Sequence, residues 1–285
     1  MKELIEKFWD ENTCGVIEQD KRLNKEEYYD QLSKVRYDEY VDIKKYAPFN
    51  DWKNKKDLEV GLGAGCDAAE LIKGGAEYYG IDVTKNSVDF VRERLVYSFD
   101  YNKKNISKND ATNIPFPDHY FDIIYSFGVI HHIDDTEKVV SEFRRILKPG
   151  GKIFVMVYNR SSIFYKIEVC IFRRLLIILS NIILLKGLIL LFLGKNNKNK
   201  ILNYVNKVNK RFNNKMFLNN QELLNISSDH AECPLAKVYN QNEANYLFKD
   251  FQTKKTYVFY NEISNSIFWK IFSIILKPFE NFLSK

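Results

Sequence analysis

The sequence predicts an α/β fold built on a doubly wound, mostly parallel sheet. Two observations predict it: short apolar runs alternate with helical stretches between residues 57 and 158, and a cluster of glycines follows the first of these runs. The chain has 285 residues, of which 45% are hydrophobic and 28% charged. A chain of this length and composition is expected to form one domain of this kind together with an insertion or cap.

The elements follow one another in the order that a parallel sheet requires. Apolar strands are predicted at residues 57–60, 78–83, 121–126 and 152–158. Helices are predicted directly after the glycine cluster, at 87–99 and at 136–147. The run Lys148-Pro-Gly-Gly151 is expected to end the last helix, because proline lacks the amide hydrogen and glycine accepts the left-handed cap.

The change of pattern along the chain predicts four regions. They are a helical lid at 1–52, with helical periodicity at 26–46; a core at 53–160; an apolar helical insertion after the fifth strand at 161–240; and a final region at 241–285, with a helix at 242–251 and a strand at 255–260. The final region is expected to complete the core and to end in a tail of membrane-facing composition.

A turn of glycines connects the first strand to the next helix. Gly61, Gly63 and Gly65 form a tight turn in which a ligand can lie against the backbone, and the helix N-terminus offers free N–H groups to a polar part of it. Residues 63–68 also fit the pattern of a dinucleotide site, so a nicotinamide-dependent enzyme is an open alternative. A glycine-rich turn without a ligand is another.

Asp82 stands at the end of the second predicted strand, after Gly80 and Ile81. An acid in this position accepts hydrogen bonds from the ribose hydroxyls of an adenosine. Helix capping by Asp82 or Thr84 would explain the same residues. Because the glycine turn precedes it, the ribose interpretation is favoured.

Five motifs between residues 59 and 151 resemble, in this order, those of the class I S-adenosylmethionine-dependent methyltransferases. The likeness is to the small-molecule type that includes the ubiquinone and menaquinone methyltransferases. The motifs are Glu59-Val-Gly-Leu-Gly-Ala-Gly65, Gly80-Ile-Asp82-Val-Thr84, residues 109–118, residues 121–132, and Leu147-Lys-Pro-Gly-Gly151. The resemblance implies a Rossmann-like sheet, S-adenosylmethionine as methyl donor, and in-line transfer to a small, lipophilic acceptor.

The resemblance also implies which residues hold the donor. They are Glu59, Gly61, Gly63, Gly65, Asp82, Asp110, Ala111 and Phe127. The glycines would line its methionine and ribose portion, the aspartate after the second strand would bind the ribose hydroxyls, and Asp110 with the Ala111 backbone would meet the adenine edge. Phe127 follows the strand that delivers the reacting region, and Glu59 would organise the glycine turn.

His131 and His132 follow the strand at 121–126, where open α/β sheets place their ligand crevice. Imidazole titrates near neutral pH, so either side chain is a candidate general base for an acceptor hydroxyl. Packing or capping of the loop is the alternative.

The acceptor is expected to lie under the N-terminal helix and the insertion, as the family likeness implies. That makes Tyr28, Tyr29, Arg36 and Tyr37 candidate acceptor contacts. Surface aromatics on an ordinary amphipathic helix are the alternative explanation.

Charge and cysteine content limit which partners, metal sites and disulfides are expected. The net charge is +6, but many lysines lie among asparagines, and no nucleic-acid partner is expected. The four cysteines lie far apart, and no cluster of Asp, Glu and His has the spacing of metal ligands. We therefore expect no metal site, no disulfide framework and a cytoplasmic protein.

Two apolar segments, 163–194 and 267–285, predict peripheral contact with a membrane. The run 175–193 approaches the length of a membrane span, but the predicted strands on either side of it belong to one sheet. Helices that cap the acceptor pocket or dip into one leaflet are therefore favoured over a crossing. For the C-terminal segment, packing in the core is the alternative.

Three functions stay open at this point. The first is a methyltransferase for a small, lipophilic acceptor. The second is a non-catalytic, membrane-recruited protein on the same scaffold, and the third is a nicotinamide-dependent oxidoreductase.

Overall fold

The computed structural model describes residues 1–181, 195–252 and 255–258, and the chain divides into two compact units. The first unit contains Met1–Tyr158 and the segment that begins at Lys237. The second contains Asn159–Ala236.

The helices and strands are as follows. The strands are β1 (Lys56–Val60), β2 (Glu77–Asp82), β3 (Ile106–Lys108), β4 (Phe121–Phe127) and β5 (Leu147–Met156). The helices are α1 (Lys2–Glu11), α2 (Lys25–Glu39), α3 (Ile43–Tyr46), α4 (Cys66–Lys73), α5 (Lys85–Phe99), α6 (Thr136–Ile146), α7 (Arg174–Asn181), α8 (Lys195–Arg211), α9 (Asn220–Ser227) and α10 (Gln241–Leu247). A π-helical segment, Phe164–Arg173, leads directly into α7, and 3₁₀ turns lie at Phe49–Trp52, Lys103–Asn105 and Ile130–His132.

The five strands form one parallel sheet in the order β3-β2-β1-β4-β5. The chain builds the sheet outward from β1 on one side and then from β4 on the other. This reversal between β1 and β4 is the point at which doubly wound sheets bind their ligands, at the carboxyl ends of the strands. The predicted doubly wound, parallel fold is confirmed.

The sheet is covered on both faces, which is why its central strands are apolar throughout. Against one face, Tyr78 and Tyr125 pack with Leu71 of α4 and other residues of α4 and α5. Against the other face, Ile124 packs with Phe143 of α6. These two layers position the strand ends that carry the polar motifs.

The N-terminal helices belong to the first unit. Helix α2 begins with a capping box, in which the Asn24 side chain accepts from the backbone N–H of Glu27 and the Glu27 carboxylate accepts from that of Asn24. Its residue Leu32 is buried and packs with Ala64 of the glycine turn. The predicted helical region at 26–46 is therefore present as α2 and α3.

Three features of the core differ from the prediction. Strand β3 has only three residues, too few to give a recognisable apolar run, and was not predicted. Strand β5 begins at Leu147 rather than at 152, because Leu147 already pairs with Phe121 and a bulge then accommodates residues 148–151 before the ladder resumes. The predicted strand at 255–260 is wrong over residues 255–258, which have no regular secondary structure, and its last two residues lie outside the described residues.

The elements that the structure describes in the second unit are helices. Leu176 of α7 packs with Ile201 and Val205 of α8 in a small apolar cluster. Among the residues that the structure describes, no helix combines the length and the apolar character needed to cross a membrane. Most of the apolar run at 175–193 and the whole tail at 267–285 lie outside the described residues.

Candidate functional site

The carboxyl ends of β1, β2 and β3 bring the predicted cofactor residues to one edge of the sheet. The N–H of Gly61 donates to the carbonyl of Ile81 at 2.9 Å, and the N–H of Asn109 donates to the carbonyl of Asp82 at 2.8 Å. These bonds continue the ladders just beyond the strands. The glycine turn, Asp82 and the segment around Asp110 therefore lie side by side.

The glycine turn leaves no room for side chains at two of its positions. A Cβ at Gly61, where φ is +86°, would lie 2.2 Å from the Val129 side chain. A Cβ at Gly63, where φ is +48°, would lie 2.9 Å from the carbonyl oxygen of Cys14. Both the backbone conformation and the close approach of other segments therefore require glycine.

Asp82 holds the turn and keeps some capacity to accept a hydroxyl. Its Oδ2 accepts from the N–H of Leu62 at 2.8 Å, and its Oδ1 accepts from the N–H and the hydroxyl of Thr84 at 2.9 and 2.8 Å. A carboxylate has about four acceptor positions, so one on Oδ2 stays available for a hydroxyl. Accepting from both ribose hydroxyls would require the Thr84 hydroxyl to give up its bond.

Asp110 and Ala111 lie on the turn that follows β3. The Asp110 Oδ1 accepts from the N–H of Thr112 at 2.8 Å, and its Oδ2 pairs with the Lys2 ammonium at 2.6 Å. Burial opposes ionisation of Asp110, but these hydrogen bonds outweigh it and hold its pKa below the usual range. Ala111 is buried among residues of the core.

Glu59 lies in β1 and is buried. Its Oε2 accepts from the Tyr78 hydroxyl at 2.6 Å. Burial, reinforced by the carboxylate of Asp67, raises the pKa of Glu59. The hydrogen bond shown thus runs to β2 and not to the glycine turn, and an organising role of Glu59 toward that turn stays a prediction.

Two of the predicted acceptor contacts, Arg36 and Tyr37, meet at a buried carboxylate. Arg36 Nη2 lies 2.6 Å from Asp67 Oδ2, and the Tyr37 hydroxyl donates to Asp67 Oδ1 at 2.9 Å. The Tyr125 hydroxyl donates to the same carboxylate at 2.9 Å. The Arg36 guanidinium also stacks over the ring of Phe127, 4.6 Å from its centroid. These contacts fasten α2 to α4 and β4.

The other two predicted acceptor contacts are buried in the packing of α2. The Tyr28 hydroxyl donates to the carbonyl of Ile17 at 2.8 Å. The Tyr29 ring meets Phe90 edge-on at 6.0 Å and lies beside Tyr97. The contacts shown for both rings are internal, and a role toward the acceptor stays a prediction for all four residues of α2.

The two histidines are buried in the loop after β4. Among the described residues neither ring nitrogen of His131 has a hydrogen-bond partner, and its ring lies 3.9 Å from that of Tyr158, centroid to centroid. Burial, with the neighbouring His132, lowers the pKa of His131 well below its usual value, so its imidazole is neutral. The ring of His132 meets Trp9 edge-on at 4.9 Å.

Helix α1 extends across this edge of the sheet and contacts the loops that follow several strands. In addition to the Lys2–Asp110 pair, Glu6 pairs with Lys108 at 2.6 Å, and the Asp10 carboxylate accepts from the N–H of Asn86 at 2.9 Å. Helix α1 therefore covers residues that the sequence assigns to the cofactor, and we call it the α1 roof.

Two residues of the site were not predicted, Asp67 and Arg94. The sequence could have indicated Asp67, since an acid that closely follows a glycine turn lies in the first turn of a helix, where negative charge is favoured. Arg94 had none, because an arginine in an amphipathic helix is ordinary. It is 2% exposed and donates to the carbonyl of Ala64 at 2.7 Å.

The residues at this edge fit S-adenosylmethionine in their chemistry. The acceptor position left on Asp82 suits a ribose hydroxyl, and the carboxylate of Asp110 suits an exocyclic amino group. The N-terminus of α4 offers backbone N–H groups to a carboxylate. An adenosyl group and an amino acid group together present all of these partners.

Comparison with known proteins supports this assignment. Residues 58–155 match the model of a family described as "Methyltransferase domain". Phosphoethanolamine N-methyltransferase 2 of Caenorhabditis elegans is 36% identical over 131 residues, 45% of this chain and 29% of that protein. Methyltransferase GfsG of Streptomyces halstedii is 33% identical over 101 residues, 35% of this chain and 36% of that protein.

The chain is also similar to a third curated relative and to a solved structure. Sterol 4-C-methyltransferase strm-1 of Caenorhabditis elegans is 30% identical over 98 residues, 34% of this chain and 29% of that protein. A SAM dependent methyltransferase from Aquifex aeolicus is 24% identical, with a TM-score of 0.40 over 47% of this chain and 73% of that one. The chain thus spans about a third of the length of the curated relatives named here.

The matched segment contains β1 to β5 almost completely, together with the glycine turn, Asp82 and Asp110. The predicted resemblance to S-adenosylmethionine-dependent methyltransferases and the predicted donor are therefore confirmed. Residues 58–155 of the chain match a methyltransferase domain.

Proposed function

We propose that this protein transfers a methyl group from S-adenosylmethionine to a small, lipophilic acceptor. One observation carries the proposal: the glycine turn, Asp82 and Asp110 lie side by side at the carboxyl edge of the sheet, within the segment that matches the methyltransferase domain. Two of the relatives are named as methyltransferases of phosphoethanolamine and of a sterol, which supports a small acceptor of either polar or apolar character. The likeness to quinone methyltransferases stays a prediction.

In this proposal the protein contributes mainly position. The bound donor supplies an electrophilic methyl group on its sulfonium, and Asp82 and Asp110 fix its adenosyl end. The α1 roof excludes water, so an acceptor atom held in line with the methyl group reacts without competing solvent.

The histidines are candidates for taking a proton from the acceptor. His131 is neutral and so has the protonation state of a base, but it is fully buried behind Tyr158 and His132. A base role for His131 or His132 therefore requires α1, which brings Trp9 against His132, to move when the acceptor enters.

Peripheral contact with a membrane and a cytoplasmic location are part of the proposal. Exposed aliphatic side chains on the helical segment from Ile163 to Leu175 favour the membrane contact. A lipophilic acceptor would be concentrated at such a surface. The predicted contribution of 267–285 concerns residues outside those described.

The test is transfer of labelled methyl groups from S-adenosylmethionine into a lipid and small-molecule extract, with release of S-adenosylhomocysteine. We expect label in the organic fraction with the wild-type protein. We expect about ten-fold less with Asp82→Asn at subsaturating donor, since a charge-assisted hydrogen bond to the ribose is weakened. Donor binding without any transfer would contradict catalysis and favour the non-catalytic scaffold.

A further inference from the structure

Four exposed aliphatic side chains lie in one row on the first helical segment of the second unit. Ile163, Ile167, Ile171 and Leu175 follow one another at four-residue intervals and are 59%, 38%, 54% and 49% exposed. Side chains four residues apart lie close together on the surface both of a π-helix, whose hydrogen bonds span five residues, and of the α-helix that follows it here. We call this row the aliphatic stripe.

The opposite side of the same segment is packed within its own unit. Val169 and Ile177 are 0% and 1% exposed, and Leu176 packs against α8. The segment thus has one face committed to a core and one face turned outward. The outward position of the aliphatic stripe follows from this packing.

The charges around the stripe are basic. Lys166 is exposed beside Ile167, whereas Glu168 is 2% exposed and its carboxylate accepts from Arg173 Nε at 2.9 Å. Glu168 is also the one acidic residue in the sequence between positions 159 and 221, a stretch in which Lys and Arg recur throughout. The acid is buried and paired, so the outward side offers aliphatic groups and positive charge.

This combination selects among partners. A nucleic acid would leave four aliphatic side chains without an apolar contact, and a second copy of the chain would bring like charges together. An anionic lipid surface satisfies both features, because the aliphatic groups enter the interface while the exposed Lys166 ammonium reaches the phosphates.

We propose that the aliphatic stripe docks this protein on the surface of an anionic lipid bilayer, with Lys166 at the headgroups. The proposal rests on the membrane contact proposed above but not on methyl transfer. It gives the contact a defined surface, which lies outside the segment that matches the methyltransferase domain.

The experiment measures sedimentation of the full chain with vesicles of phosphatidylcholine, with and without phosphatidylglycerol, at low and high salt. We expect binding to the anionic vesicles that weakens with salt. The variant Ile167→Ser/Ile171→Ser should bind about ten-fold less, since two aliphatic side chains leave the interface. A matched variant, Val41→Ser/Val96→Ser, removes two exposed aliphatic side chains of the first unit and should bind as the wild type does.

Two results would overturn the proposal. One is wild-type protein that does not sediment with anionic vesicles. The other is salt-sensitive binding that the Ile167→Ser/Ile171→Ser variant retains in full, which would assign the contact to charge alone or to another segment. The far-UV circular dichroism spectrum and the thermal unfolding transition show whether the variant is folded. Binding of S-adenosylmethionine, measured on the same samples, separates this outcome from failure of the methyltransferase assignment.

Discussion

Asp57 carries a buried carboxyl group, and neither of its oxygens has a hydrogen-bond partner in the part of the chain that the structure describes. It lies in β1, two residues before Glu59 and therefore on the same face of the strand. Burial raises its pKa well above the usual value. The folded protein therefore keeps the proton of Asp57 to a higher pH than the unfolded chain does.

This group makes stability depend on pH. The unfolded chain ionises Asp57 near pH 4, whereas the folded chain does so only at higher pH. The contribution of Asp57 to the free energy of unfolding is complete below about pH 4 and is lost as the pH rises toward the pKa of the folded state. In that window the free energy of unfolding should fall by about 1.4 kcal/mol per pH unit.

Asp57→Asn removes the ionisation and should remove this decline. Urea unfolding at several pH values between 5 and 8 measures it. We expect the variant to gain stability over the wild type as the pH rises, while Asp30→Asn, at an exposed position, follows the wild type. A constant difference between Asp57→Asn and the wild type across this range would show that Asp57 is ionised when folded.

At the scale of elements, Arg94 connects three parts of the site. It lies in α5, and its guanidinium donates to the Ala64 carbonyl at 2.7 Å, to the Ser33 hydroxyl at 2.6 Å and to the Tyr29 carbonyl at 3.1 Å. It thus joins α2 and α5 to the glycine turn. The hydrogen bonds that the structure describes for Arg94 go to α2, to the backbone of the glycine turn and to the first helical residue after it, and not to a residue assigned to the donor, which makes it a positioning residue.

Arg94→Met should loosen the turn as well as the fold. We expect the free energy of unfolding to fall by about 2–3 kcal/mol, because a buried carbonyl and hydroxyl lose a charged donor. The affinity for S-adenosylmethionine should fall about ten-fold at a temperature where the variant is folded. Arg92→Met on the same helix, whose guanidinium bonds the carbonyl of Ile106, is the matched control.

The outcome that contradicts a positioning role is specific. If Arg94→Met lowers stability while the dissociation constant for the donor stays that of the wild type, Arg94 is structural only. Partial recovery of affinity in Arg94→Lys would support the role, because lysine restores one of the donated bonds.

The strands that the sequence reveals are those whose burial forces an apolar run. Strands β1, β2 and β4 are the three inner strands of the sheet. Each of their predicted boundaries differs from the observed one by no more than one residue. Strand β3 pairs over only three residues at the edge of the sheet, so it leaves no pattern. The start of β5 was missed because a bulge carries Pro149 and Gly150, which resemble a helix stop.

The candidate site divides in the same way. The glycine turn and Asp82 were predictable because backbone conformation and strand position restrict the residue type. The partners of Arg36 and Tyr37 were not, since an acceptor contact and an internal bond to Asp67 require the same polar side chains. Only the tertiary packing of α2 against α4 distinguishes them.

At the scale of the whole molecule, the methyltransferase match and the second unit are separate parts of the chain. The match ends at residue 155, and the second unit begins at Asn159. The family match therefore informs the donor site and does not reach the helices from 164 onward. Those helices carry the basic, aliphatic surface proposed to meet the lipid.

The central claim is that the carboxyl edge of this sheet binds S-adenosylmethionine, and calorimetric titration tests it most directly. We predict saturable binding of one S-adenosylmethionine per chain, no comparable binding of a nicotinamide dinucleotide, and about ten-fold weaker donor binding by Asp82→Asn. Tight binding of the nicotinamide dinucleotide alone, or an Asp82→Asn affinity equal to that of the wild type, would contradict the account.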